Sequence, residues 1–307
     1  MQVPSDLEIA RELPPSGSSL EQAEQYTHWL ATHHYENFTI ATRLLPRNLR
    51  QHFYNIYAYC RWADDLGDEI PDPHAALEAL DWWENELQQC YAGSATHPVF
   101  IALRGTIAAF GIPMDPFSDL LLAFRQDQTV HRYQTWDSVL EYCRYSANPV
   151  GRLVLCLFGY RDQERVALSD YTCTALQLAN FWQDVSRDLD KDRIYIPLDL
   201  LAGAGLAESD LFARGPDGRY IQLMRGLVER TRELFRLGLP LAPSLAGSFR
   251  VDIELFSRGG LAVLDAIESI GYNTLTRRPT LTGAAKFRLA GCAFIGYLLS
   301  KVTANGK

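Results

Sequence analysis

Nowhere in its 307 residues does this chain hold the apolar run of roughly 18 residues that a membrane-spanning helix requires. The nearest candidate, LAGCAFIGYLL over Leu289–Leu299, is too short to cross and is expected to be a core helix. If the ligand is a lipid, that segment is the one that would touch a bilayer surface, as a peripheral contact. Basic tracts are also lacking. Lys and Arg number 29 against 37 Asp and Glu, with a net charge of -8 and a pI near 5.4, which argues against a nucleic-acid partner. Cysteine pairing signals are missing too. Cys60, Cys90, Cys143, Cys156, Cys173 and Cys292 stand singly, without CxxC spacing and with no signal peptide ahead of them, so buried thiols in a reducing cytoplasm are expected. With neither GxGxxG nor a βαβ pattern, no Rossmann nicotinamide domain is expected. Strand alternation is nearly absent, and no repeat of fixed period appears.

What the chain does contain is helical periodicity and 47% hydrophobic residues, enough for a large core without a second domain. Helices are expected near 19–32, 36–43, 47–68, 73–91, 97–110, 115–127, 135–157, 163–189, 218–238, 244–271 and 283–301. Breaks are expected at PDP (71–73), GIP (111–113), the stretch 196–216 and RRP (277–279). Residues 1–18 are expected to form a flexible tail, and 19–307 a single all-α domain.

Two Asp-x-x-x-Asp pairs fall inside the predicted helices. Asp64 and Asp68 lie in RWADDLGDE, and Asp184 and Asp188 in QLANFWQDVSRDLD. At i and i+4 both carboxylates project from one helical face, and each pair can hold a hard cation through oxygen. The plainer account is solvated helix surface. Against it, like charges beside an apolar run repel and lose hydration, a cost that a bound divalent ion removes. Gln177, Asn180, Asp184 and Asp188 recur at i, i+3, i+7 and i+11, one stripe in an otherwise apolar helix. Arg61 falls one turn before Asp64. Opposed across a helical bundle, two such faces would form a magnesium diphosphate clamp.

HYENFTIATRLLPRNLRQHFYNIYAYCRWADDLGDE (34–69) resembles the opening of the squalene and phytoene synthase family, and QLANFWQDVSRDLDKDRIYIP (177–197) resembles its second acidic motif. RQDQTVHRYQTWDSVLEYCRYSANPVGRLVL (125–155) and ELFSRGGLAVLDAIESIGYNTLTRRP (254–279) are most similar to the bacterial hydroxysqualene synthase branch that serves hopanoid synthesis. The resemblance implies an isoprenoid-synthase bundle with a central cavity. It implies magnesium on Asp64 and Asp68 and on Asn180, Asp184 and Asp188, and diphosphate contacts from His34, Tyr57 and Arg61. Plainer roles stay open for the last three: a surface residue beside His33, a core aromatic, and an intrahelical partner of Asp64 or Asp65. Gln177 is placed with the substrate-binding residues by its stripe, and Arg277 is placed with them as well: Arg277 and Arg278 in TRRP are expected near phosphate oxygens, with a helix-terminal charge the plainer account of one of the two.

The same resemblance puts Tyr142, in YCRYSANPVG, beside the reacting carbons. Pro149 is expected to break its helix, leaving Asn148 either to hold a water in the cavity or to satisfy the freed backbone. Asn37, Gln183, Arg187 and Gly260 depart from condensing relatives, which favours one substrate containing both prenyl halves. The reaction expected is magnesium-assisted ionisation of presqualene diphosphate and water capture to hydroxysqualene, without NAD(P)H. The alternatives are condensation of two prenyl diphosphates to presqualene diphosphate, squalene or phytoene, and an inert helical scaffold. A presqualene diphosphate synthase and a flavin-dependent reductase are implied as functional neighbours.

Overall fold

The computed structural model describes residues 7–10, 12–33, 46–215 and 217–280. His34, Asn37, Phe38, Cys292, Leu289–Leu299 and the helices expected at 36–43 and 283–301 lie outside the described residues. The longer helices are α1 (Leu20–His33), α2 (Arg47–Asp68), α3 (Pro73–Ala92), α4 (Pro98–Phe110), α5 (Asp115–Gln126), α6 (Trp136–Ser146), α7 (Asn148–Leu157) and α8 (Gln163–Asp190). After them come the short α9 (Leu198–Gly203) and α10 (Glu208–Ala213), then α11 (Gly218–Gly238) and α12 (Gly247–Ser269). Among the described residues there is no strand, only one isolated bridge between Arg132 and Ile194.

Local chemistry sets most of the boundaries. Asp72 caps α3 by accepting from His74 N, with Pro73 in the first turn, and Gly93 ends it at φ 85°. Asp162 caps α8 and Asp217 caps α11 in the same way. The helix expected over 135–157 is two helices, parted at Ala147, because Pro149 has no N–H to offer the preceding turn and restarts the chain as α7. The break expected over 196–216 encloses α9 and α10, where Asp210 accepts from Ala207 N at 2.8 Å to start α10.

The chain forms two compact units, Met1–Thr129 with Arg152–Arg161, and Val130–Gly151 with Asp162–Lys307. In the first, α2 packs on α1, α3, α4 and α5. Tyr59, Trp62, Trp83, Phe100 and Phe117 are each fully buried there, and Trp62 stacks on Trp83 at 5.3 Å. His97 caps α4, its Nδ1 accepting from Val99 N at 3.3 Å, so its proton sits on Nε2. Burial pushes His97 down to about 3, which keeps it neutral inside this aromatic core. Leu7 and Ile9, within the segment expected as a tail, are buried in the same cluster, and Tyr26 donates to Ile9 O at 2.6 Å.

In the second unit, α8 is the helix that α6, α11 and α12 pack against. Trp182 Nε1 donates to Thr231 Oγ1 of α11 at 2.8 Å. A Cβ at Gly151 would lie 2.4 Å from Ser169 Oγ and 2.6 Å from Cys173 Sγ, so α7 reaches α8 only because that residue is glycine. Gly260 has a similar cause: its Cβ would stand 2.3 Å from Phe235 Cζ and 2.8 Å from Leu176 Cδ2. Gly260→Ala is therefore expected to destabilise the protein by about 2 kcal/mol through overpacking, as measured by urea unfolding. No helix among the described residues is long and apolar enough to cross a membrane.

Candidate active site

In the first unit, α2 buries Ile56, Tyr59, Trp62, Ala63 and Leu66 and leaves Tyr57, Arg61, Asp64 and Asp68 on its other side. Tyr57 and Arg61 are half-buried, the Asp64 side chain is 48% exposed, and Asp68 is exposed. The partner of Arg61 is chiefly Asp65. The guanidinium meets it through Nη2 at 2.5 Å and Nε at 3.2 Å, whereas Asp64 and Glu69 stand at 3.6 Å. Burial pushes the Asp65 carboxyl up to about 7, and Arg61 opposes that rise. Asp65 thus orients Arg61 along the face that carries Asp64 and Asp68. The run DDLGD contained this residue, but only its burial separates it from Asp64.

The second unit carries the stripe on α8. Gln177, Asp184 and Asp188 are half-buried and Asn180 is exposed, while Leu178, Ala179, Phe181, Trp182 and Val185 beside them are buried. Burial, and then the neighbouring Asp184, push Asp188 up to about 7, while Arg193, Lys191 and Arg187 pull it down. A cavity of about 10 Å³ adjoins Asp188, Phe181, Arg193 and Tyr195, room for about one water.

Tyr142 is buried in a cluster of rings. Phe181 lies 6.0 Å away, Tyr133 5.3 Å and Tyr195 5.9 Å, and Phe181 and Tyr195 stack at 3.8 Å. Tyr133 and Tyr195 were not singled out from the sequence, because the loop that returns Tyr195 to α8 is held by Ile194 N donating to His131 O, a contact between distant segments. Arg144 is not part of this group. It is exposed and pairs with Glu141 at 3.4 Å. Asn148 is buried and accepts from Thr174 Oγ1 of α8 at 2.9 Å, tying the helix break to that helix.

Arg277 is exposed and Arg278 is the one that meets the stripe, forming a two-point ion pair with Asp184. Gln183 donates to Pro279 O at 2.9 Å. Asp252 on α12 is a further buried carboxylate that sequence reasoning missed, with neither oxygen hydrogen-bonded among the described residues.

No group of three or more His, Cys, Asp or Glu among the described residues is placed to hold a metal by itself. Each face instead offers two carboxylates, and magnesium is commonly bound by one or two carboxylates with phosphate oxygens and waters completing the shell. The raised Asp188 carboxyl, beside a second carboxylate, fits the same ion, whose charge would relieve that repulsion.

These helices define the class as an all-α isoprenoid-synthase fold. The chain belongs to the squalene/phytoene synthase family, whose model matches residues 31–285, and enzymes of this family act on prenyl diphosphates. It is 37% identical over 226 residues to hydroxysqualene synthase of Rhodopseudomonas palustris, covering 73% of this chain and 76% of that one. With phytoene synthase of Arthrospira platensis it shares 31% identity over 264 residues, covering 79% and 83%. The crystal structure of squalene synthase HpnC from Alicyclobacillus acidocaldarius aligns with a TM-score of 0.80 and 44% identity, over 83% of this chain and 96% of that one.

Proposed function

We propose that the chain is a hydroxysqualene synthase acting on presqualene diphosphate. The observation that carries this reading is its 37% identity to a hydroxysqualene synthase over 73% of its length, together with the polar, carboxylate-bearing faces of α2 and α8. Asp64 and Asp68 on one face, and Asn180, Asp184 and Asp188 on the other, would hold magnesium. When bound, magnesium supplies positive charge to the diphosphate leaving group. Arg61, oriented by Asp65, adds a fixed guanidinium for phosphate oxygens, and Tyr57 and Gln177 flank the two faces. The rings around Tyr142 keep water from the carbocation and can stabilise it through their faces. His34 is assigned to the same diphosphate by its motif.

The overall chemistry needs no reductant. Ionisation breaks the carbon–oxygen bond, the electron pair leaves with diphosphate, the cyclopropane opens, and water supplies the hydroxyl and releases a proton. A second reading, condensation of two prenyl diphosphates, is favoured by the 31% identity to a phytoene synthase over 79% of the chain. The Gly260 departure does not bear against it on its own, since packing against Phe235 already demands glycine there.

The test is a product assay with purified protein and magnesium, without NADPH, offering farnesyl diphosphate and presqualene diphosphate separately and identifying products by mass spectrometry. Hydroxysqualene from presqualene diphosphate alone is the expected outcome. Turnover of farnesyl diphosphate would establish the condensing reaction instead. An inert scaffold would turn over neither and would show no thermal stabilisation by magnesium with a diphosphate analogue.

A further inference from the structure

Residues 277–280 follow α12 outside any helix and are fastened to α8 by one cluster of polar contacts. Arg278 sets Nε and Nη2 on the two carboxylate oxygens of Asp184, the second at 3.2 Å. The same Nη2 donates to Gln183 Oε1 at 3.3 Å, and Gln183 Nε2 donates to Pro279 O at 2.9 Å. Gln183 is only 8% exposed, so these bonds form largely away from water. A side-chain amide is the group this position needs, because it must accept from a guanidinium and donate to a carbonyl at once. Arginine or lysine could only donate there, and an ionised acid could only accept.

The Asp184 side chain is 15% exposed, too little for water alone to solvate its charge, and its counter-charge is Arg278. A fork that covers both carboxylate oxygens and a cation ligated by those oxygens compete for the same atoms. We infer that Gln183 and Arg278 form a clasp that holds Arg278 on Asp184 as a resident counter-charge and yields that carboxylate to a divalent cation. The inference rests on the reading of Asp184 as a metal ligand. Gln183 acts through Arg278 and is a positioning residue. Loading of the α8 face and release of residues 277–280 are then one linked equilibrium: whatever loosens the clasp tightens cation binding, and the reverse. Arg277, exposed and one residue away, takes no part.

The experiment is magnesium titration by calorimetry on the full chain, with hydrogen exchange followed at the amides of residues 276–280. Arg278→Gln is expected to bind magnesium more tightly by on the order of tenfold. Gln183→Leu should move affinity in the same direction by less, and should speed exchange at residues 276–280 without metal. In the unaltered protein, magnesium itself should speed that exchange. If Asp184→Asn loses magnesium while Arg278→Gln binds it no tighter, or magnesium leaves the exchange unchanged, the clasp is overturned and the metal reading stands. If Asp184→Asn binds magnesium as well as the unaltered protein does, the metal reading falls and takes the clasp with it.

Discussion

Replacing Asp64 and Asp68 together by asparagine is expected to lower turnover about a thousandfold, the scale on which removal of preorganised transition-state electrostatics acts. Stability should change by no more than about 0.5 kcal/mol, the range for surface substitutions. The two expectations separate because of where these carboxylates stand. Asp68 is exposed, the Asp64 side chain is 48% exposed, and the strong contact of Arg61 is with Asp65, which the double variant leaves intact. The asparagines keep the shape of the face and remove its charge, so hard-cation affinity should fall with turnover. Magnesium titration, steady-state kinetics and urea unfolding check the three parts. Activity within tenfold of the unaltered protein would mean that the α2 face is solvated surface, and a large loss of stability would mean that it is a structural feature.

Asp252→Asn is expected to stabilise the protein above pH 7 by about 2 kcal/mol and to confer no gain below pH 4. Asp252 is 3% exposed, neither of its oxygens has a hydrogen-bond partner among the described residues, and burial alone pushes its carboxyl up from 3.8 to about 7. A carboxyl whose folded pKa is raised binds its proton more tightly in the folded chain. Its contribution is therefore fully present below the unfolded value of 3.8 and is lost as pH rises through about 7. The loss is on the order of 4 kcal/mol. Asparagine removes the charge but leaves a buried amide without a partner, which costs about 2 kcal/mol and sets the net gain. Urea unfolding at pH 4, 6 and 8 measures it. A variant less stable at every pH would show that Asp252 has a partner when ionised.

The polar faces were legible because they depend on local geometry. Helix bounds at Arg47–Asp68 and Gly218–Gly238 agree with the periodicity, and Gln177, Asn180, Asp184 and Asp188 share one side of α8 as the 3.6-residue repeat requires. Even the parting of α6 from α7 follows from one proline. The short α9 and α10 were illegible for the same reason in reverse, being six residues each, too short for a periodic signal and held by turns and caps.

Choices among neighbours were not legible. Arg61 had two acidic candidates, and burial of Asp65 at 2% exposure decided between them. Arg277 and Arg278 are adjacent in sequence, yet only Arg278 reaches Asp184, 94 positions earlier. Gly260, expected as a departure that favours a single substrate, is a packing contact: Phe235 leaves no room for a Cβ there.

By itself the sequence determined an all-α fold, its principal helix bounds, the two carboxylate pairs and the family, because each is written in residues within a few turns of one another. Tertiary structure alone decided which charges pair, which carboxylates lose water, and which glycines are packing contacts. Those outcomes depend on desolvation and on atoms brought within about 3 Å by distant segments, and spacing along the chain carries neither quantity.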